Sequence, residues 1–210
     1  MPLILASTSP RRRELLALLG IPFDVMGPAF EERLVADRSA VQQVMSFALA
    51  KAQSVARHAP EAIVLGSDTV IELNHEVLGK PADLVEARAM LRRLAARDHF
   101  VHTAVALVCS SRKIEVVALS TAVVRMKAFD ERVHECYLAT EESLGKAGAY
   151  SIQGEGGGLV DSIDGDFSGV VGLPLRLVSQ LLKRSGVEVP VDLDELYVTK
   201  PYANWDRFQD

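Results

Sequence analysis

Two stretches rich in β-branched residues, Phe100 to Val108 and Ile114 to Arg125, follow one another with no helical stretch between them. Consecutive strands of this kind do not fit a fully parallel sheet. Elsewhere the chain alternates. Leu3 to Ala6 reads as a short buried strand, followed by the polar turn Ser7, Thr8, Ser9. Leu15, Leu18 and Leu19 then recur at helical spacing, with Ser9 as N-cap, Pro10 as first helical residue and Gly20 as terminator. Val41, Val44, Met45, Ala48, Ala52 and Val55 share one face of a helix expected from Ser39 to His58, with Lys51 at its edge. Ile63 to Leu65 reads as a central strand ending in Gly66, Ser67, Asp68, and Val70 to Val77 as a hairpin turning near Asn74 and His75. Asp83 with Glu86 resembles a capping box opening a helix through Leu94, and further helices are expected from Asp130 to Ala139 and, last, from Pro174 to Arg184 before Gly186. The pattern predicts an α/β fold with a mixed twisted sheet flanked by helices.

The 210 residues are enough for one domain that encloses a site without a disulfide or metal staple, so a metal would serve chemistry. No Pro/Gly linker or repeat divides the chain: residues 1–189 are expected to form one domain and 190–210 a surface-wrapping or partly ordered extension. A net charge of −5 argues against a general nucleic-acid binder, although a few focused cations would still serve a small anion. Cys109 and Cys136 fit no metal spacing and read as core or near-core thiols. No apolar run is long enough to span a membrane, and the expected compartment is the cytoplasm.

Four segments could carry chemistry. Ser7, Thr8, Ser9, Pro10, Arg11 and Arg12 place hydroxyls and guanidinium groups at a helix start, a site suited to phosphate oxygens; the alternative is a plain N-cap with solvated arginines. Ser67, Asp68 and Thr69 follow an apolar strand, where a carboxylate can hold a cation or take a proton from water; the alternative is a turn aspartate. Lys80, between Gly79 and Pro81, is either aimed by its neighbours or solvated, and Lys51 is either functional or a snorkelling lysine. Gly145 to Gly158 is glycine-rich around Gln153, an amide suited to a base edge, but the spacing is neither a Walker A loop nor a dinucleotide fingerprint, and a hinge is the alternative.

Taken together and in order, LASTSPRRRELL, GSDTV, LGKP, HTAVAL, KAGAYSIQG and VVGLPL resemble the Maf family from Leu3 to about Leu182. The resemblance implies a fold similar to inosine triphosphate pyrophosphatases, two lobes around a cleft and often a homodimer. It also implies cleavage of a nucleoside triphosphate between its α and β phosphates with a divalent cation, Mg or Mn. On the matching positions Asp68 would be the general base, while Ser7, Arg11, Arg12, Lys51 and Lys80 would hold the triphosphate. Glu32, in the acidic pair Glu31 and Glu32, would share the metal with Asp68, although the resemblance does not separate it from Glu31. Arg11, Thr69 and Gln153 stand where the family discriminates bases. The group acting on 7-methylguanosine triphosphate carries Gln and Glu at Thr69 and Gln153, so this chain is expected to prefer dTTP and UTP.

Two departures concern loops: Gly145 stands where this group carries Asp, and Gly169 where it carries Asn. Competing readings are a 7-methyl-GTP pyrophosphatase, a regulatory nucleotide-binding module tied to septum formation, and a serine hydrolase using Ser7 or Ser9. The last lacks both a GxSxG elbow and a histidine in triad context.

Overall fold

A computed structural model describes residues 2–208 of the chain. In the first strand, β1 (Leu3–Ala6), side chains alternate: Leu3 and Leu5 enter one apolar layer, Ile4 and Ala6 the other. The elements that follow are α1 (Pro10–Ala17), β2 (Asp24–Val25), α2 (Ala40–Ala56), β3 (Ile63–Leu73), β4 (Glu76–Leu78) and α3 (Leu84–Leu94). They continue with β5 (Asp98–Cys109), β6 (Ile114–Met126), α4 (Glu131–Leu138), β7 (Val160–Asp164), α5 (Phe167–Val171), α6 (Leu175–Arg184) and α7 (Leu193–Thr199).

The seven strands form one sheet in the order β2-β1-β3-β5-β6-β7, with β4 also on β3. β1 pairs parallel to β2 and β3, and every other pair is antiparallel, so the expected mixed sheet is observed. Helix α2 covers one face, against Val64, Val70, Ala104, Ala106 and Val108. The other face is buried by the larger cluster, which includes Leu15 and Leu16 of α1, Leu91 and Leu94 of α3, and Val178 and Leu182 of α6. The N-terminus of α2 is secured by a capping box in which Ser39 accepts from Gln42 N–H and the Gln42 side chain accepts from Ser39 N–H. Among the described residues no helix is long and apolar enough to cross a membrane.

Several expectations are corrected. Gly66 does not end a strand: β3 runs unbroken for 11 residues, and Asp68 lies inside it. Glycine is needed there because α2 comes so close; a Cβ on Gly66 would stand 2.4 Å from the Ala48 carbonyl oxygen. What ends at Gly66 is the partner strand. β1 pairs with β3 only as far as Gly66, and β4 takes up the same edge from Ile71, leaving Ser67 to Val70 with an open edge between them. The hairpin does turn at Asn74 and His75, both with positive φ. At α3, Asp83 accepts from Glu86 N–H, but the Glu86 side chain reaches Ala82 N–H instead, so the expected capping box is half formed.

Cys109 is buried, whereas Cys136 is exposed, because α4 turns His134, Tyr137 and Leu138 inward and leaves Cys136 on its outer side. The helix ending at Arg184 is not the last: α7 follows, and Leu196, Tyr197, Trp205 and Phe208 join the main apolar cluster. Strands β2 and β7 and helix α5, at 2, 5 and 5 residues, are too short for a periodic signal.

Candidate active site

The open edge of β3 is where the candidate side chains meet. Ser7 and Arg12 arrive from the end of β1 and the start of α1, Lys51 from α2, and Lys80 from just beyond β4. Along β3 the side chains alternate, so Asp68 shares the α2 face with Val64 and Val70, while Thr69 faces the α1 side. Both border one cavity of about 330 Å³, and Ser7, Arg11, Arg12, Glu32, Lys51, Lys80 and Gln153 line it too. Glu31 does not: it pairs with Arg33 in the exposed segment before α2.

Lys51 is not a snorkelling lysine. Its side chain is 8% exposed and bonds Glu32, 2.5 Å away, and Asp68. Glu32 lies in the irregular segment before α2 and its side chain is 40% exposed, whereas Asp68 is buried at 6%. Burial pushes the Asp68 carboxyl above the usual range, against the opposing charges of Lys51 and Arg12. Burial acts upward on Glu32 too, but there the hydrogen bond and charge of Lys51, with the charge of Lys80, outweigh it and hold the carboxyl below its usual value. The two carboxylates thus respond differently to one ammonium. Asp68 is the one whose proton affinity is raised.

Arg12 is held by the chain rather than by a carboxylate. Nε donates to the Gly172 carbonyl at 2.9 Å and Nη2 to Thr69 Oγ1 at 3.2 Å. Ser67 Oγ donates to the same Gly172 carbonyl at 3.0 Å. Gly172 has φ 128, a backbone conformation that other residues rarely adopt, which explains the glycine of the VVGLPL run. Thr69 Oγ1 also lies 2.8 Å from Thr103 Oγ1, which donates to the Gly169 carbonyl. The Thr103 proton is therefore committed, so Thr69 donates to Thr103 while accepting from Arg12. Burial lowers the proton affinity of Arg12, yet a guanidinium remains charged.

At the start of α1, Ser9 occupies the N-cap but its hydroxyl makes no cap bond; instead Ser7 Oγ accepts from Ser9 N–H at 3.1 Å. No acidic residue lies in the first turn, so the positive end of the helix is uncompensated by its own sequence. Among the described contacts no histidine bonds Ser7 or Ser9: His99 meets Tyr150, and His102 meets Glu72 and Thr121. That leaves the serine-hydrolase reading without a base.

The far wall is the segment from Gly145 to Gln153. Gly148 N–H donates to the Gly79 carbonyl at 3.0 Å, tying this segment to the loop of Lys80. Gly148 has φ 66 and a Cβ there would strike Ile71 Cδ1 at 2.8 Å. The Gln153 side chain borders the cavity and makes no protein hydrogen bond among the described residues. Phe30, Lys146 and Tyr150 also line the cavity and were not singled out from the sequence. Lys146 and Tyr150 belong to the KAGAYSIQG motif, whereas nothing local marks Phe30, which reaches the site by packing on Phe47 at 5.8 Å.

The family described as Maf-like protein matches residues 2–185. The chain belongs to this family. The dTTP/UTP pyrophosphatase of Symbiobacterium thermophilum is 47% identical over 187 residues, which cover 89% of this chain and 95% of that protein. The dTTP/UTP pyrophosphatase of Moorella thermoacetica is 45% identical over 187 residues, 89% of this chain and 96% of its own. Among solved structures the Ham1 protein of Staphylococcus aureus is similar at 15% identity and a TM-score of 0.44, covering 60% of this chain and 72% of that one; a likeness of that size carries no argument. The Maf-like match ends at residue 185, so α7 and the buried aromatics beyond it lie outside the matched part.

Proposed function

We propose that this chain hydrolyses nucleoside triphosphates, dTTP and UTP foremost, to the monophosphate and pyrophosphate. The observation that carries the reading is the convergence of Asp68, Glu32, Lys51 and Arg12 on one cavity whose opposite wall presents an unengaged amide, Gln153. The names of the relatives support the same substrates.

Two carboxylates converge on one ammonium, a position where a cation is already favoured, and the donors are all oxygen. That set suits Mg²⁺ or Mn²⁺, which is bound through one or two carboxylates with substrate phosphates completing the shell. No group of three or more His, Cys, Asp or Glu side chains is gathered among the described residues, consistent with phosphate oxygens supplying the remainder. Asp68 and Glu32 would hold the ion, which when bound lowers the pKa of water and offsets phosphate charge.

Asp68 accepts the proton of the water that attacks the α phosphorus, its burial having raised its basicity. The new P–O bond forms at the α phosphate as the α–β bridging bond breaks, and pyrophosphate departs with that oxygen. Arg12, Lys51 and Lys80, with the first-turn amides of α1 and the Ser7 hydroxyl, stabilise the growing charge on the phosphate oxygens. Arg12 suits this because Gly172 and Thr69 have fixed its plane in advance. Gln153 reads the base: its amide can accept from N3–H and donate to O4 of uracil or thymine at once.

Turnover of dTTP with Mg²⁺ or Mn²⁺ in ¹⁸O-water tests the reaction. Pyrophosphate should appear with label in the monophosphate; orthophosphate and a diphosphate, or no turnover with either ion, would overturn the proposal.

A further inference from the structure

The glycine-rich wall has bonds of its own, Gly154 N–H to the Ser151 carbonyl and Gly157 N–H to the Gly154 carbonyl, and a further clasp from a distant segment. The side chain of Asn204, from the segment beyond the family match, donates from one amide nitrogen to two carbonyls, Ile152 at 3.0 Å and Gly154 at 2.9 Å. These carbonyls flank Gln153 on either side. Both acceptors are carbonyl oxygens, so the amide has only one workable orientation; turned over, its oxygen would face two others. Gly157 makes room for this clasp, since a Cβ there would stand 2.4 Å from the Ile152 oxygen and 2.8 Å from Asn204 Nδ2. Asn204 itself is held in the left-handed region at φ 64, which asparagine tolerates better than most residues.

The segment is anchored on both sides of the clasp. Trp205 is fully buried, stacked on Phe167 at 5.6 Å and edge-on to Tyr197 at 4.9 Å. Phe208 lies 5.8 Å from the same Phe167 ring. On the other side, Tyr202 OH donates to Glu14 of α1 at 2.7 Å. One short stretch therefore ties the helix whose start lines the cavity to the loop that presents Gln153.

We propose that residues 200–208 form a strap that sets base selectivity, with Asn204 as the positioning residue that fixes Gln153 through its two flanking carbonyls. The inference rests on the reading of Gln153 as the base-recognising amide. It adds a determinant of selectivity in a part of the chain outside the Maf-like match.

The experiment uses the full chain and compares kcat/KM for dTTP and dGTP. Asn204→Gly keeps the positive φ and deletes both hydrogen bonds, so it separates the clasp from backbone strain. Its preference for dTTP over dGTP should fall about tenfold, the size of one net hydrogen bond lost between a misplaced Gln153 and the base, mainly through a higher KM for dTTP. Asn204→Asp, which turns a carboxylate toward the two carbonyls, should lose at least as much. In a Gln153→Ala background the same Asn204→Gly change should leave the ratio unmoved, because a residue acting through Gln153 has nothing left to position. If Gln153→Ala alters the ratio but Asn204→Gly does not, or lowers only the melting temperature, the strap is overturned while the reading of Gln153 stands. If Gln153→Ala leaves the ratio where it was, the reading of Gln153 fails and the strap falls with it.

Discussion

At the end of the cavity around Asp68 three charged side chains, Asp68, Lys51 and Glu32, hold one another, whereas around Gln153 the clasp consists of a neutral amide and two backbone carbonyls. The first end is built on a central strand and a long helix in contact through Gly66. The second is a loop with little regular structure, shaped by glycines and by contacts from distant segments. Chemistry common to every triphosphate belongs on the rigid end, and discrimination among bases on the end whose shape depends on what packs behind it.

The largest expected effect lies at the charged end. Asp68→Asn keeps size and packing but removes basicity and the attraction for a cation, so kcat should fall by about 10²-fold or more with the melting temperature retained. A variant that kept more than about a tenth of the rate would remove Asp68 from the role of base.

Gly66→Ala probes the platform under that end. With Ala48 O 2.4 Å from the new methyl, α2 must shift and carry Lys51 with it. Urea unfolding should show a loss of about 1–3 kcal/mol, with lower activity. Gly79→Ala is the contrast: a Cβ there meets nothing within 4 Å, and stability should change by less than about 0.5 kcal/mol. Equal losses in the two variants would show that the close helix approach is not what requires Gly66.

Gln153→Glu at the neutral end, combined with Thr69→Gln beside Arg12, should move preference from dTTP toward 7-methyl-GTP by about tenfold, since a cationic base favours a carboxylate. Because Thr69 also holds Arg12, kcat should drop for both nucleotides. Loss of dTTP activity without a relative gain on the purine would mean these two positions do not discriminate.

An effect on stability alone concerns His99, whose Nε2 lies 2.8 Å from Tyr150 OH behind the same wall. Burial lowers its pKa from 6.5 to about 4. Below 6.5 the unfolded chain therefore takes up a proton that the folded chain refuses until about 4, and stability falls as pH drops across that window. The slope from this residue should approach about 1.4 kcal/mol per pH unit at most, and should vanish in His99→Gln when ΔG is measured by urea unfolding at several pH values. An unchanged slope would show that His99 is protonated in the folded protein.

At the charged end Asp68, Lys51, Lys80 and Arg12 were legible in the sequence, because each sits in a motif or on a periodic face. Their arrangement was not. Asp68 was expected just past a strand, yet β3 continues through it, and the opening comes from β1 stopping at Gly66 and β4 beginning opposite Ile71. Strand pairing is non-local, and the apolar pattern of one strand does not report where its neighbour ends. The choice of Glu32 over Glu31 likewise needed the position of Lys51, since adjacent residues of an irregular segment carry no face of their own.

What the sequence by itself determined is the set of chemical groups and the local elements that carry them. Hydrophobic period specifies helix or strand, Ser39 with Gln42 starts α2, and the LASTSPRRRELL, GSDTV and VVGLPL motifs supply hydroxyls, guanidinium groups and a carboxylate. Tertiary structure alone decided that Gly172 must fix Arg12, that Cys136 faces outward, and that the segment after Pro190, without a periodic pattern, buries Trp205 and clasps the Gln153 loop with Asn204. The reason is physical: the contacts of Arg12 with Gly172 and of Asn204 with Ile152 join residues 160 and 52 positions apart, and their energy depends on surfaces that exist only once the sheet and its helices have packed.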